Sequence, residues 1–284
     1  MRGVYSLGVL AALEEMGFSS SFDHVAGSSA GAHNGAHFIT RQARYGVETY
    51  IEHLSNRRFI DLRRLNRPVD VDYLIDHVVR HVRPFNLPAL LSASTVLHIA
   101  LTDALDAKAY YVTNRMQGID LWEAFRATAA VPILYNRFVK VGDRLCLDGS
   151  ISDRIPLLRL MDYGCRYIVV VLTKPLSFRS KPISRPIKAL TRWATREYSD
   201  ALKRAVFDEN KAFNRVMAAL ALNDGAIIDE SVKLLVIAPK NRANLVSCVT
   251  TDATRLRQCA LQARADAWRA FGQTPPPEAN PFRA

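Results

Sequence analysis

Apolar residues at Val4, Leu7, Val9, Leu10 and Leu13 recur at helical spacing, so the pattern predicts a helix from Val4 to Met16. Gly17 follows where a C-terminal cap is expected. After the polar run Ser19 to Ser21, His24-Val25-Ala26 reads as a short buried strand running into Gly27. The small residues between Ala30 and Ala43, with Phe38 and Ile39, predict a helix packed closely on its neighbours. Two strand-like runs, Thr95 to Leu101 and Ala109 to Thr113, flank a turn around Asp103 to Asp106. Asp120 is placed to cap a helix from Leu121 to Ala130, which stops before Pro132.

Further on, Arg144 to Leu147 reads as a strand ending on Asp148-Gly149, with a helix starting near Pro156. Arg166 to Leu172 has the continuous apolar character of a buried parallel strand. Helices are expected over Pro186 to Leu222 and Asp252 to Phe271, with a late strand at Val232 to Ile237. This alternation predicts an α/β architecture with a mainly parallel sheet. At 284 residues and 49% hydrophobic composition, the chain is expected to build one core. A single domain should cover 1–272, and the prolines Pro275, Pro276 and Pro277 mark 273–284 as a loose tail.

Charge changes the picture more than composition does. The net charge of +11 should attract polyanions. Nine Lys or Arg residues fall between Lys174 and Arg204, with Phe178, Trp193 and Tyr198 among them. A second cluster is Arg57, Arg58, Arg63, Arg64 and Arg67. Basic residues mixed with aromatics fit peripheral contact with an anionic membrane, and equally a solvated basic face. No recognition motif accompanies the charge, so nucleic acid is not an expected partner. The longest uncharged stretch, Pro84 to Thr102, holds two prolines, an asparagine, a histidine and several hydroxyls, and makes a poor bilayer span. The opening residues lack the apolar run of a signal peptide. Cys146, Cys165, Cys248 and Cys259 are widely spaced, which suits a reducing, cytoplasmic setting and no metal site.

The strongest chemical signal is Gly27-Ser28-Ser29-Ala30-Gly31, a G-x-S-x-G placed where a strand hands over to a helix. That is the context of a nucleophile elbow. The register selects Ser29, with small neighbours tolerating the strained turn and the Ala30 N–H at a helix start available to an oxyanion. A serine needs a base. All seven histidines, the last of them His98, lie in the first hundred residues, and none follows Asp148, as the order Ser, Asp, His of α/β-hydrolases would require. A triad of Asp61 or Asp76 with His98 would leave the last two thirds of the chain without a catalytic member. Asp148, in Leu147-Asp148-Gly149-Ser150 at a strand end, is the preferred carboxylate base, with Asp153 nearby as the reserve candidate.

Taken in order, Arg2-Gly3-Val4-Tyr5 with Gly8-Val9-Leu10, then the elbow, then Ala129-Ala130-Val131-Pro132, then Asp148-Gly149 with Pro156 following, resembles the patatin-like phospholipase family. The resemblance covers about Met1 to Leu172, and the later part looks like a bacterial, cytosolic-type subgroup. It implies a three-layer α/β/α fold and hydrolysis of fatty acyl esters, of phospholipase A or lysophospholipase type, by a Ser29–Asp148 dyad with no cofactor. Carried over, Gly3 and Ala30 are the oxyanion donors and Gly27, Gly31 and Gly149 shape the turns. Arg2 lends support, and Ser150 stands where glycine or alanine is usual. The family's first block is a strand and a glycine-rich loop running into an Arg or Lys and a Gly, and the chain opens inside it at Met1-Arg2-Gly3. The resulting expectation is an active form that begins upstream of Met1. The competing expectation is a lipid-surface binding protein of the same fold with impaired catalysis.

Overall fold

The computed structural model describes residues 1–64, 67–222, 228–277 and 281–282. Helix α1 spans Gly3–Glu15 and ends where Gly17 adopts φ 83°. Strand β1 (His24–Ser28) passes through Ser29 into helix α2 (Ala30–Ile39). The single helix expected over Ala30 to Ala43 is cut short, because Arg41 turns the chain at φ 56° and a new helix, α3 (Ala43–Glu52), starts. The Ala43 N–H donates to Glu14 of α1 at 3.0 Å, which fixes the angle between the two helices.

A π-type helix (Tyr73–Val82) and the short α4 (Leu87–Ser92) lead into the hairpin of β2 (Val96–Asp103) and β3 (Ala109–Thr113). Asp120 caps α5 (Leu121–Thr128) by accepting the Trp122 N–H, and the helix closes at Thr128, short of the expected Ala130. Then come β4 (Val139–Val141), which the sequence pattern did not single out, and β5 (Arg144–Asp148). Helix α6 (Leu157–Asp162) has Pro156 just outside its first turn. The remaining elements are β6 (Tyr167–Val171), α7 (Arg185–Ala194), α8 (Asp200–Leu222), β7 (Lys233–Ile237) and α9 (Ala253–Ala270). Asp252 caps α9 through the Arg255 N–H.

The fold is α/β in three layers, and the alternation along β6 and β7 shows how the layers are specified. Val169, Val171, Leu235 and Ile237 face α1, α3 and α9, whereas Ile168, Val170, Leu234 and Val236 face α6 and α8. Phe282 also packs into the first of these clusters. The ladders β1–β2 and β6–β7 are parallel, while β3, β4 and β5 join by antiparallel pairing.

The registers place the site. Residues 98–102 of β2 pair with β3 on one edge. The opposite edge is shared end to end: β1 occupies Val96 to Ala100 and β5 occupies Leu101 to Asp103. Because β1 runs parallel to β2 and β5 runs against it, their C-terminal ends, Ser28 and Asp148, meet at the Ala100–Leu101 step.

Between β1 and β6 lies a cavity of about 1050 Å³. It explains one departure from the sequence pattern. His24-Val25-Ala26 was expected to be a buried strand, yet it is only half-buried, because the cavity runs along its free edge.

Candidate active site

Ser29 sits at φ 55°, ψ −131°, a region an L-residue enters at a cost of about 1–3 kcal/mol. Two contacts hold it there. Its N–H donates to Thr128 Oγ1 at 2.8 Å, and the Thr128 hydroxyl donates to the Ala100 carbonyl at 2.7 Å, tying the elbow to the central strand. Thr128 was not singled out from the sequence. Its nearest signal was the adjoining Ala129-Ala130-Val131-Pro132 block, and the contact spans 99 positions.

Glycine is required at two of the turn positions by close approach. A Cβ on Gly27 would stand 2.4 Å from the Gly31 carbonyl carbon, and one on Gly149 would stand 2.1 Å from the Ala100 carbonyl oxygen. Gly149 thus lets the chain leaving Asp148 cross directly over β2. Gly31 is different from the expectation: a Cβ there would meet nothing within 4 Å, so no packing constraint demands glycine.

Asp148 is fully buried. Its Oδ1 accepts the Ser150 N–H at 2.7 Å, so Ser150 supplies a backbone donor and its own side chain is not needed for that bond. Its backbone carbonyl accepts from the Thr102 hydroxyl at 2.7 Å. The second carboxylate oxygen, Oδ2, is buried without a hydrogen-bond partner of normal geometry. Burial pushes the Asp148 carboxyl above the usual aspartate range. The Ser150 N–H, the nearby Ser29 hydroxyl and the positive charge of Arg154 oppose that rise only in part. Ser29 and Asp148 are therefore neighbours in a dry setting, an arrangement that suits proton transfer from a hydroxyl to a carboxylate.

The reserve base, Asp153, is otherwise engaged, since the Tyr111 hydroxyl donates to its Oδ2. The two histidines of α2 are likewise committed to the core. His33 Nε2–H donates to the Phe125 carbonyl at 3.1 Å and burial lowers its pKa to about 4; burial lowers that of His37 to about 3. His98 pairs with His24 at 3.0 Å, leaving Asp61 and Asp76 to arginines.

The N-terminus of α1 packs against that of α2: a Cβ on Gly3 would lie 2.7 Å from Ala30 Cβ. Both helix starts border the cavity that also receives Ser29 and Asp148. The Val4, Tyr5 and Ala32 N–H groups donate to the Met1, Arg2 and Ser29 carbonyls, which leaves those of Gly3, Ala30 and Gly31 as the candidate donors at these helix starts, all three residues lining the cavity with Ser29. The Gly3 carbonyl accepts from Asn34 Nδ2 at 2.8 Å, which anchors this contact.

Cations crowd the same wall. Arg154 pairs with Glu209 and lies 4.8 Å over the Phe213 ring. Burial and the charge of Arg2 outweigh the pull of Asp148 and lower the Arg154 pKa to about 10. Lys174 is also lowered, first by burial and then by Arg2 and Arg242. Arg2 therefore faces the cavity as part of a positive rim, together with Arg154 and Lys174. Among the described residues, no cluster of three His, Cys, Asp or Glu is placed to hold a metal ion. Nor is any helix among them long and apolar enough to cross a membrane.

Comparison with known proteins agrees with this architecture. Residues 1–161 match the family model of the patatin-like phospholipases. One curated relative is the uncharacterized protein YjjU of Escherichia coli (strain K12), 28% identical over 199 residues. The match covers 68% of the chain and 54% of YjjU, so the chain spans about half the length of this relative. With more than half of its residues inside the family match, the chain belongs to the patatin-like phospholipase family.

Proposed function

We propose that the protein is a serine acyl hydrolase that cleaves fatty acyl esters of lipids, of phospholipase A or lysophospholipase type, through a covalent acyl-enzyme on Ser29. The observation that carries this reading is the pairing of a strained serine with a buried carboxylate whose free oxygen has no other partner. In the first step Ser29 Oγ attacks the ester carbonyl carbon while Asp148 Oδ2 takes the hydroxyl proton. The oxyanion so formed lies at the paired helix starts, where the N–H groups of Ala30 and Gly3 are the candidate donors. Collapse expels the alcohol, which takes the proton from Asp148. Water then attacks the acyl-enzyme, Asp148 again accepting a proton, and the fatty acid leaves with Ser29 restored.

Part of the cavity suits an acyl chain, since Val25, Phe38, Val169 and Leu172 are among its walls and apolar walls favour an apolar ligand, while Arg2, Arg154 and Lys174 give it a polar end. Labelling with a fluorophosphonate tests the reading. Labelling that disappears in Ser29→Ala, together with release of fatty acid from phospholipid or lysophospholipid, supports the hydrolase. Lipid binding without labelling supports instead a catalytically impaired lipid-binding protein of the same fold.

A further inference from the structure

We propose that α7 is a docking helix that seats the protein on an anionic phospholipid surface with the mouth of the Ser29 cavity facing the lipid. Helix α7 presents Ile187, Leu190 and Trp193 at 53%, 48% and 57% exposure, an unusual concentration of exposed large apolar side chains on ten residues. At about 100° per residue, Pro186, Leu190, Trp193 and Ala194 fall on one side of the helix, and Arg185, Lys188 and Arg192 on the opposite side. The helix meets the body of the protein chiefly through Thr191, with Thr195 and Tyr198 continuing the buried line beyond its end. Its apolar face is thus turned away from the core.

Charge identifies the occupant. No carboxylate occurs from Thr173 through Arg196, while Lys181, Arg185, Lys188, Arg192 and Arg196 all do. Of these five only Arg196 has an ion-pair partner, Glu197, among the described residues. Arg196 also lies 5.2 Å over the Trp193 ring, placing a cation beside the indole. An exposed tryptophan and aliphatic residues on one side of the helix, cations on the other and Arg196 beside the indole match an amphipathic helix lying at the boundary between acyl chains and negative headgroups. Position supplies the functional link: Ile183, Ile187 and Thr191 line the cavity that holds Ser29 and Asp148. A lipid leaving the surface beside α7 reaches the nucleophile without crossing open water. This last link rests on the acyl-hydrolase reading, whereas the docking itself does not.

Vesicle binding tests the proposal, using the full chain with Ser29→Ala so that hydrolysis plays no part. Sedimentation with phosphatidylcholine vesicles containing phosphatidylglycerol should capture the protein, and pure phosphatidylcholine should capture it at least about tenfold less. The Trp193 emission should shift to the blue on binding, a change absent in Trp193→Phe. The double substitutions Leu190→Glu with Trp193→Glu, and Lys188→Glu with Arg192→Glu, should each weaken binding by about tenfold or more. With Ser29 intact, both variants should still cleave a short soluble ester at the wild-type rate, showing that they fold. Undiminished vesicle binding by either variant, or capture by heparin but not by vesicles, overturns the proposal. Vesicle binding by a protein that cleaves no ester at all retains docking and sinks the hydrolase instead.

Discussion

Two aspartates of the same chain meet opposite treatment. Asp148 is fully buried, takes one backbone N–H on Oδ1 and leaves Oδ2 unpartnered. Asp72, at the start of the π-type helix, accepts from the Tyr135 hydroxyl at 2.6 Å, Arg67 at 2.6 Å, Arg137 at 3.3 Å and Arg126. Burial drives both carboxyls upward. At Asp148 it prevails, whereas at Asp72 the Tyr135 hydroxyl, Arg126 and Arg137 outweigh it and hold the group below the usual range. A carboxylate with every lone pair engaged is a structural anchor. One held dry with a free oxygen beside a hydroxyl is available to take a proton.

The largest expected effect separates the two in catalysis. If Ser29 and Asp148 act as one unit, as proposed, Ser29→Ala and Asp148→Asn should each reduce ester turnover by about 10⁴-fold or more, and the double variant should be no worse than either. Asp72→Asn should leave turnover within about twofold of wild type, since it lies outside that unit. Initial rates on a soluble ester, with circular dichroism to verify folding, decide this. Wild-type turnover in Asp148→Asn would remove it as the base.

A smaller loss is expected from the tie between elbow and sheet. Thr128→Val deprives the Ser29 N–H of its acceptor inside the protein and should cost about 1–3 kcal/mol in urea unfolding. Displacement of Ser29 should lower turnover by about tenfold as well if it is the nucleophile proposed above. Thr128→Ser keeps the hydroxyl and should recover most of both. If Val and Ser behave alike, Thr128 acts through packing alone.

How much of this was legible in the sequence follows from the range of each interaction. The elbow reads directly because strand, turn and helix follow one another without a break from His24 to Ile39, and Asp120 and Gly17 mark their helix ends by local rules. Asp148 reads as a strand end. What does not read is that β5 arrives from the opposite direction to β1 and stops against it on one edge of β2, because alternation carries no information about strand orientation. Thr128 and Arg154 escaped for a related reason. Each is ordinary in its own segment and gains its role only from partners such as Ser29 or Glu209, which the fold brings in from far along the chain.

Stability should sharpen the contrast by changing sign. The folded-state pKa of Asp148 is raised, so the group favours folding most below its unfolded value and costs stability once pH passes its folded value. At pH 7 Asp148→Asn should therefore raise the melting temperature. The folded-state pKa of Asp72 is lowered, so it contributes above its unfolded value, near 3.9, and loses that contribution as pH falls toward the folded one. Asp72→Asn should lower stability at pH 7, by an amount on the order of 1 kcal/mol given its partial exposure. Calorimetry at pH 7 and pH 4 checks both signs: the gain in Asp148→Asn should shrink at pH 4, whereas the loss in Asp72→Asn should persist there and fade only below the unfolded value near 3.9. Destabilisation by both at pH 7 would mean that Asp148 is not a strained charge.

The subtlest test concerns what tunes Asp148. If it must be ionised to act, kcat/KM on a soluble ester should fall on the acid side with a midpoint above the ordinary aspartate value, because burial raises that group. Arg154 is the cation that opposes the rise. Arg154→Met should then move the acid limb to still higher pH, while turnover on the plateau changes less than the limb does. Glu209 partly neutralises Arg154, so Glu209→Gln should move the limb the other way, toward lower pH. Asp72→Asn, remote from this pair, should leave it in place. A limb that stays fixed in both Arg154→Met and Glu209→Gln would show that Arg154 serves its Phe213 and Glu209 contacts only. The proton affinity of Asp148 would then be set by burial and the hydrogen bonds of Ser150 and Ser29.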